Sequence, residues 1–480
     1  MNININNNKY VVKALDKLRS GVHVTTVVMT LSAIGITLCC LVSEYPAASI
    51  VSLILLISAI LTCVAGAPHL ILRYFAILFA ALSCIAGCFV CEFFHVDLME
   101  LSRTSGYVGS LPLLCLSYGA VLAAVFLGDG RISSLRQEKE KKPFDIRIAG
   151  MSVTDAILRI ICIGMLVVNA LAFLTVANRP SFVIGVDRFA YDQLFGINVF
   201  EKISGLMTYI SLALLLAIRS GYKKVPLAAI GLYILYLIWT GEKFGGFFVL
   251  LANTFFVYSD KFEKIDRRKA AAVMVAAILS GVFVVLGTVA LRSFTSDANS
   301  VQFLISRTAQ QGQLWWATYA DDDSGVPHFD EFFAAEPEAL MGGRSAIKDN
   351  VGENNGIYGV MYRVAPQNQV DVKLSAGSRY SEGGFPAAYY YFGPIGAIGF
   401  GLLHGALFTL VVYGMLKAVK NRDPIRLIIF GRLFMLLRTS MSMFTFFDFL
   451  DLESIACYAY LLLAPVVSRS LRSKLSIPSR

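Results

Sequence analysis

The stretch AASIVSLILLISAILTCV, Ala47–Val64, decides the fold. It carries no charged side chain, and it is as long as the roughly 18 residues that a bilayer's hydrocarbon demands of a helix. Lipid offers no water to backbone N–H and C=O groups, so such a run must satisfy them internally as a helix. Outward from it, similar runs fall at Val24–Val42, Leu70–Cys91, Val108–Leu127, Val153–Val176, Gly205–Ile218, Val225–Trp239, Phe244–Tyr258, Ala270–Leu291, Pro394–Leu416, Leu427–Phe447 and Leu450–Val467. The sixth, seventh and eighth are short, and the seventh and eighth can also be read as one unit broken at Thr240–Gly246. The pattern predicts an all-α polytopic membrane protein with about twelve transmembrane helices.

Composition agrees with that class. Of 480 residues, 56% are hydrophobic and only 16% charged, too little polar surface for a soluble chain of this length. The net charge of +9 sits in short loops between apolar runs, which reads as a topology signal with some attraction for anionic membrane lipid, not as a nucleic-acid surface. Basic clusters at Lys9–Arg19, Arg131–Arg147, Arg219–Lys224, Lys261–Lys269, Lys417–Arg426 and Arg469–Arg480 all fall on one side if the runs are counted correctly. The positive-inside rule makes that side the cytoplasm, with both termini there. The nine cysteines lie within or at the ends of apolar runs and read as small apolar fillers.

The chain then divides into three parts. Residues 1–291 carry the first nine helices, 292–385 form a large periplasmic loop, and 386–480 carry the last three helices. Loops of that size usually hold function. In this one Arg307, Gln311, Trp315 and Tyr319 share a face at helical spacing. A guanidinium, an amide and aromatic rings suit an anionic glycan, while Trp315 and Trp316 equally suit a helix anchored at the headgroups. Arg344, Arg363 and Arg379 follow, each a planar fork for phosphate or a partner for a nearby carboxylate. Glu382 and His328 are candidate bases. Asp321-Asp322-Asp323 reads as a solvated turn, and no metal or cofactor is expected.

Two further features lie outside the loop. Glu242 and Lys243, among glycines at the tip Thr240–Gly246, form either a substrate contact or a neutralised turn. Arg432 and Arg438 sit inside the eleventh run, where charge marks function by default. Arg432 is expected to snorkel to the cytoplasmic surface. Arg438 lies too deep for that, and Asp448, Asp451 and Glu453 are its candidate partners.

Three stretches resemble the O-antigen polymerase (Wzy-like) family of bacterial envelope glycan assembly. They are Gly241-Glu242-Lys243-Phe244, Arg307 through Trp315-Trp316, and Gly377-Ser378-Arg379-Tyr380-Ser381-Glu382 leading to Phe385-Pro386. The span count and the single large late loop fit the same family. Arg344 and Arg363 lack the family's regular arginine-then-glycine spacing. The resemblance implies a glycosyltransferase of the bacterial inner membrane. It would move a growing glycan from undecaprenyl pyrophosphate onto a new lipid-linked repeat unit at the periplasmic face, alongside a chain-length regulator protein. On that reading Arg307, Arg344 and Arg379 hold pyrophosphate and Glu382 activates the acceptor. Gln311, Trp315, Trp316, Glu242, Lys243, Arg363 and Arg438 bind substrate. An O-antigen ligase and a lipid-linked oligosaccharide flippase are the competing readings. Two unequal halves, with polar residues crowded into one late loop, speak against the flippase.

Overall fold

The computed structural model describes residues 25–135, 147–148, 151–185, 191, 194–196, 198–242, 245–262, 300–322, 326–334, 356–375, 379–446 and 449–474. The expected ninth helix Ala270–Leu291, the basic N-terminal segment, Lys243 and Arg344 lie outside them.

The chain is a bundle of apolar helices that spans a membrane. Among the described residues, five helical segments are long and apolar enough to cross a bilayer: Pro46–Gly66, Phe75–Phe93, Leu111–Asp129, Val153–Ile184 and Gly384–Lys420. A sixth follows if Val199–Gly205 and Met207–Arg219, bent by 63° to each other, count as one crossing. Thr25–Leu41, Lys224–Trp239 and Leu452–Ala464 are apolar but shorter. Helices thus lie over the expected runs that are described, and among the described residues five or six segments are long and apolar enough for a crossing.

Several runs are broken or extended. The expected Leu70–Cys91 helix is two pieces, Pro68–Arg73 and Phe75–Phe93, divided at Tyr74. The expected Pro394–Leu416 helix begins ten residues earlier, at Gly384, and carries a break at Gly393 (φ 69°, ψ −169°) just before Pro394. Only glycine adopts that backbone cheaply, and proline then sets the direction of the second arm. Phe385 and Phe400 stand fifteen positions apart in sequence, a separation of about 22 Å along a straight helix. Their ring centroids are only 5.4 Å apart. The two arms therefore fold back on each other as a helical hairpin.

Helix packing relies on close backbone approach, as expected where lipid removes the hydrophobic drive between helices. Helix Ser300–Ala320, within the expected late loop, packs directly on Phe75–Phe93. A Cβ on Gly87 would lie 2.6 Å from the Thr308 carbonyl oxygen, and one on Gly312 would lie 2.7 Å from the Cys88 Cα. The buried carboxylate of Glu92 closes the same corner. It accepts from the Ser110 amide (2.5 Å), the Leu111 amide (3.1 Å) and the Ser49 hydroxyl (2.9 Å). That satisfies donors which the start of helix Leu111–Leu135 leaves open, and sets a negative charge at its positive end.

One end of the bundle carries a two-stranded hairpin, Asp97–Leu98 with Arg103–Thr104. Segments of the late loop dock on it. Lys373 and Gln313 reach the Glu100 carboxylate, the Tyr380 hydroxyl donates to the Glu100 carbonyl at 2.8 Å, and Arg103 pairs with Asp321 at 2.7 Å. The opposite half holds a buried trio in which Asp129 takes Arg73 at 2.6 Å and His69 at 3.3 Å. The nine cysteines are free, and each is buried or half-buried.

Candidate functional site

The chain reverses twice near the hairpin end, and the two reversals meet. One is the segment 379–384 ahead of the helical hairpin. The other is the end of helix Pro424–Met443, capped by Phe444 in the left-handed conformation. The Gly383 amide donates to the Ser442 carbonyl at 2.6 Å. Gly384 lies so close to the Met441 carbonyl that a Cβ would collide with it. Glycine at 384 lets the two backbones touch, and glycine at 383 leaves room for the Ile357 side chain.

This contact lies inside the bundle. The Phe385 ring sits 4.5 Å from Tyr118, seven residues into helix Leu111–Leu135. At 1.5 Å per residue that is about 10 Å below the helix start. Glu382 is therefore carried inward, held at φ 52°. A side-chain-bearing residue tolerates that backbone only where its surroundings impose it. Its Oε2 is buried without a hydrogen-bond partner among the described residues, and so is Nε of Arg438. Arg438 is the charge that acts on Glu382. Burial pushes the Glu382 carboxyl up to about 7, with Arg438 pulling the other way. Tyr118, hydrogen-bonded to the Cys84 thiol, is also within electrostatic reach of Glu382.

Arg379 stands three residues before Glu382. Its guanidinium lies 5.2 Å over the Tyr358 ring, and Nη1 is 3.9 Å from Met443 Sδ. No carboxylate pairs with it among the described residues. A half-buried carboxyl group thus has one cation, Arg438, within electrostatic reach and another, Arg379, three residues before it in the chain.

The other candidates part from this centre. Arg307 is exposed; it bonds Gln310 of its own helix at 2.7 Å and lies over Phe303. The stripe Arg307–Gln311–Trp315–Tyr319 does not form one open face, because the helix enters the bundle along its length. Gln311 is half-buried beside Gly87, and Trp315 is only 1% exposed, donating to the Ser110 carbonyl at 3.0 Å. Trp316 is likewise buried, donates to the Gly106 carbonyl at 2.7 Å and lies under Arg103. Both indoles anchor the helix to the 106–110 turn, which corrects the reading of them as sugar platforms. Glu242 caps helix Gly245–Phe262 by accepting from the Gly245 amide at 3.1 Å. Arg363 pairs with Glu331 at 2.5 Å.

Arg432 is held by Asp451 and Glu453, each at 2.6 Å. Those carboxylates were the expected partners of Arg438, which instead faces Glu382. Sequence reasoning passed over Tyr118 and Cys84, whose types carry no signal inside an apolar run.

A family of unknown function, DUF6418, matches residues 350–457. That stretch holds Arg379, Glu382 and Arg438. No curated protein and no solved structure matches the chain.

Proposed function

We propose that the protein is a membrane-embedded glycosyltransferase, an O-antigen or related polysaccharide repeat-unit polymerase. It would use undecaprenyl-pyrophosphate-linked glycan at the hairpin end of the bundle. On this reading that end faces the periplasm of a bacterial inner membrane, the termini are cytoplasmic, and the span count is about twelve. The observation that carries the proposal is the proximity of Glu382 and Arg438: two half-buried groups within electrostatic reach, each with a buried polar atom that has no hydrogen-bond partner among the described residues. Buried polar groups are ordinarily satisfied. Two such groups at one point suit a ligand that both donates and accepts.

The chemistry follows from their types. Glu382, with a proton affinity near operating pH, takes the proton of the acceptor hydroxyl. The acceptor oxygen bonds to C1 of the donor sugar, and the C1–O bond to the pyrophosphate breaks. The electron pair leaves with the diphosphate, and Arg379 and Arg438 receive its growing charge. Their low-dielectric setting strengthens that interaction over its value in water.

Purified protein reconstituted with a purified lipid-linked repeat unit tests the proposal. The expected product is a ladder of multiples. Arg379→Ala should give no ladder while the protein still inserts. Delivery of one glycan to lipid A-core would make it a ligase. Movement of intact lipid across the bilayer, with no new bond, would make it a flippase.

A further inference from the structure

A second polar cluster lies on the same end of the molecule, outside the Glu382 centre. The Glu331 carboxylate gathers side chains from three separate segments. Its Oε1 takes Arg363 at 2.5 Å, and its Oε2 accepts from the Tyr390 hydroxyl at 2.6 Å. His328 Nδ1 stands 3.7 Å from Oε1. The His328 ring stacks on Tyr390 at 4.3 Å and 15°, and its amide donates to the Tyr390 carbonyl at 3.2 Å.

Stability gives little reason for this convergence. The Arg363 side chain is 58% exposed and Glu331 31%. Pairs that open to solvent contribute about 0–1 kcal/mol. The cluster also lies one aromatic layer from Arg379. Phe332 packs on Tyr391 and Phe444, and Phe444 follows the Met443 that Arg379 touches.

We propose that Glu331, Arg363, His328 and Tyr390 form a subsite for a neutral sugar of the acceptor glycan. The assignment takes its ligand class from the polymerase reading above. Glu331 keeps lone pairs that can accept sugar hydroxyls, and Arg363 keeps N–H groups that can donate to them. The stacked His328–Tyr390 pair supplies a rigid aromatic edge for sugar C–H groups. The charges of Glu331 and Arg363 cancel, so an acidic sugar gains nothing here over a neutral one. A sugar of the acceptor held at this distance would bring its non-reducing-end neighbour, which carries the attacking hydroxyl, toward Glu382.

The test is binding of the host's own repeat-unit oligosaccharide, freed from its lipid by mild acid, to the full-length protein in nanodiscs. Calorimetry on the wild type should show saturable binding. Arg363→Ala and His328→Ala should each weaken it at least tenfold, while Gly399→Ala, in open space, binds like wild type. Should His328→Ala fail to fold, Arg363→Lys keeps the positive charge opposite Glu331 but loses the planar fork, and should weaken binding about fivefold. Unchanged affinity in the Arg363 variants, or no binding by the wild type, overturns the subsite. Saturable binding with this variant pattern in a protein that makes no polymer would sink the polymerase reading and leave the subsite standing. Polymer formation with unaltered binding in the variants would do the reverse.

Discussion

The main chains of Gly383 and Ser442 are hydrogen-bonded at 2.6 Å, which ties the segment carrying Glu382 to the end of the helix carrying Arg438. The backbone thus fixes the Glu382 segment beside the end of the helix that carries Arg438. Groups fixed in this way need little rearrangement when charge develops nearby.

The pair should respond asymmetrically to mutation. Arg438→Met leaves a buried carboxyl without its cation, while Glu382→Gln leaves a buried guanidinium. Burial disfavours the Glu382 charge and Arg438 favours it, so Arg438→Met removes the one compensating cation while Glu382→Gln removes the charge that burial penalises. Thermal melts in detergent should show Glu382→Gln/Arg438→Met more stable than Arg438→Met alone, and neither should polymerise. Full activity in either variant removes the centre.

The raised affinity of Glu382 for its proton makes stability depend on pH. Near pH 4.5 and below, folded and unfolded chains both hold the proton. As pH rises toward about 7 the unfolded chain loses it first, so stability falls through that window. The loss is on the order of 3 kcal/mol at most. Glu382→Gln should flatten this part of the melting-temperature profile and melt higher than wild type at pH 8. Parallel profiles would show that Glu382 titrates normally.

Trp315 serves the fold on this structure. Trp315→Phe keeps most of the apolar bulk and loses the bond to the Ser110 carbonyl. It should cost about 1–2 kcal/mol of stability and leave oligosaccharide affinity unchanged. A tenfold loss of affinity in a variant of normal stability would restore the sugar-binding role.

The Gly87–Gly312 crossing leaves no room for a side chain. Gly312→Val should reduce the yield of monodisperse protein severely, whereas Gly399→Ala, at a position with open space, should not. Size-exclusion profiles of the two variants make the comparison directly. Equal profiles would contradict the crossing.

Orientation can be read chemically. Met99 is 81% exposed at the hairpin. Met99→Cys in a cysteine-free background should react with an impermeant maleimide added outside spheroplasts. Reaction only after lysis would place the hairpin end in the cytoplasm and end the proposal for periplasmic chemistry.

Much of the architecture was legible before any coordinates. The run Ala47–Val64 and its helix Pro46–Gly66 nearly coincide, and Val153–Val176 is reproduced to the residue. Arg379 and Glu382 were singled out by type and position and stand within three residues of each other in the centre. The helical spacing of Arg307–Tyr319 matches helix Ser300–Ala320, but the sequence does not show that its glycine and tryptophans serve packing. Arg432 and Arg438 were told apart by depth alone, and depth does not reveal which carboxylate a returning segment brings alongside.

The sequence by itself determined that this chain is a membrane-spanning helical bundle, because lipid forces long apolar runs into helices whatever their neighbours. It also placed the candidate charged residues in the late part of the chain. Only tertiary structure decided which of them meet. The fold-back at Gly393 and the inward turn at Phe444 are each local in sequence, but the pairing of Glu382 with Arg438 depends on both at once. Such pairing is settled by packing between distant segments, and no periodicity or residue type records it.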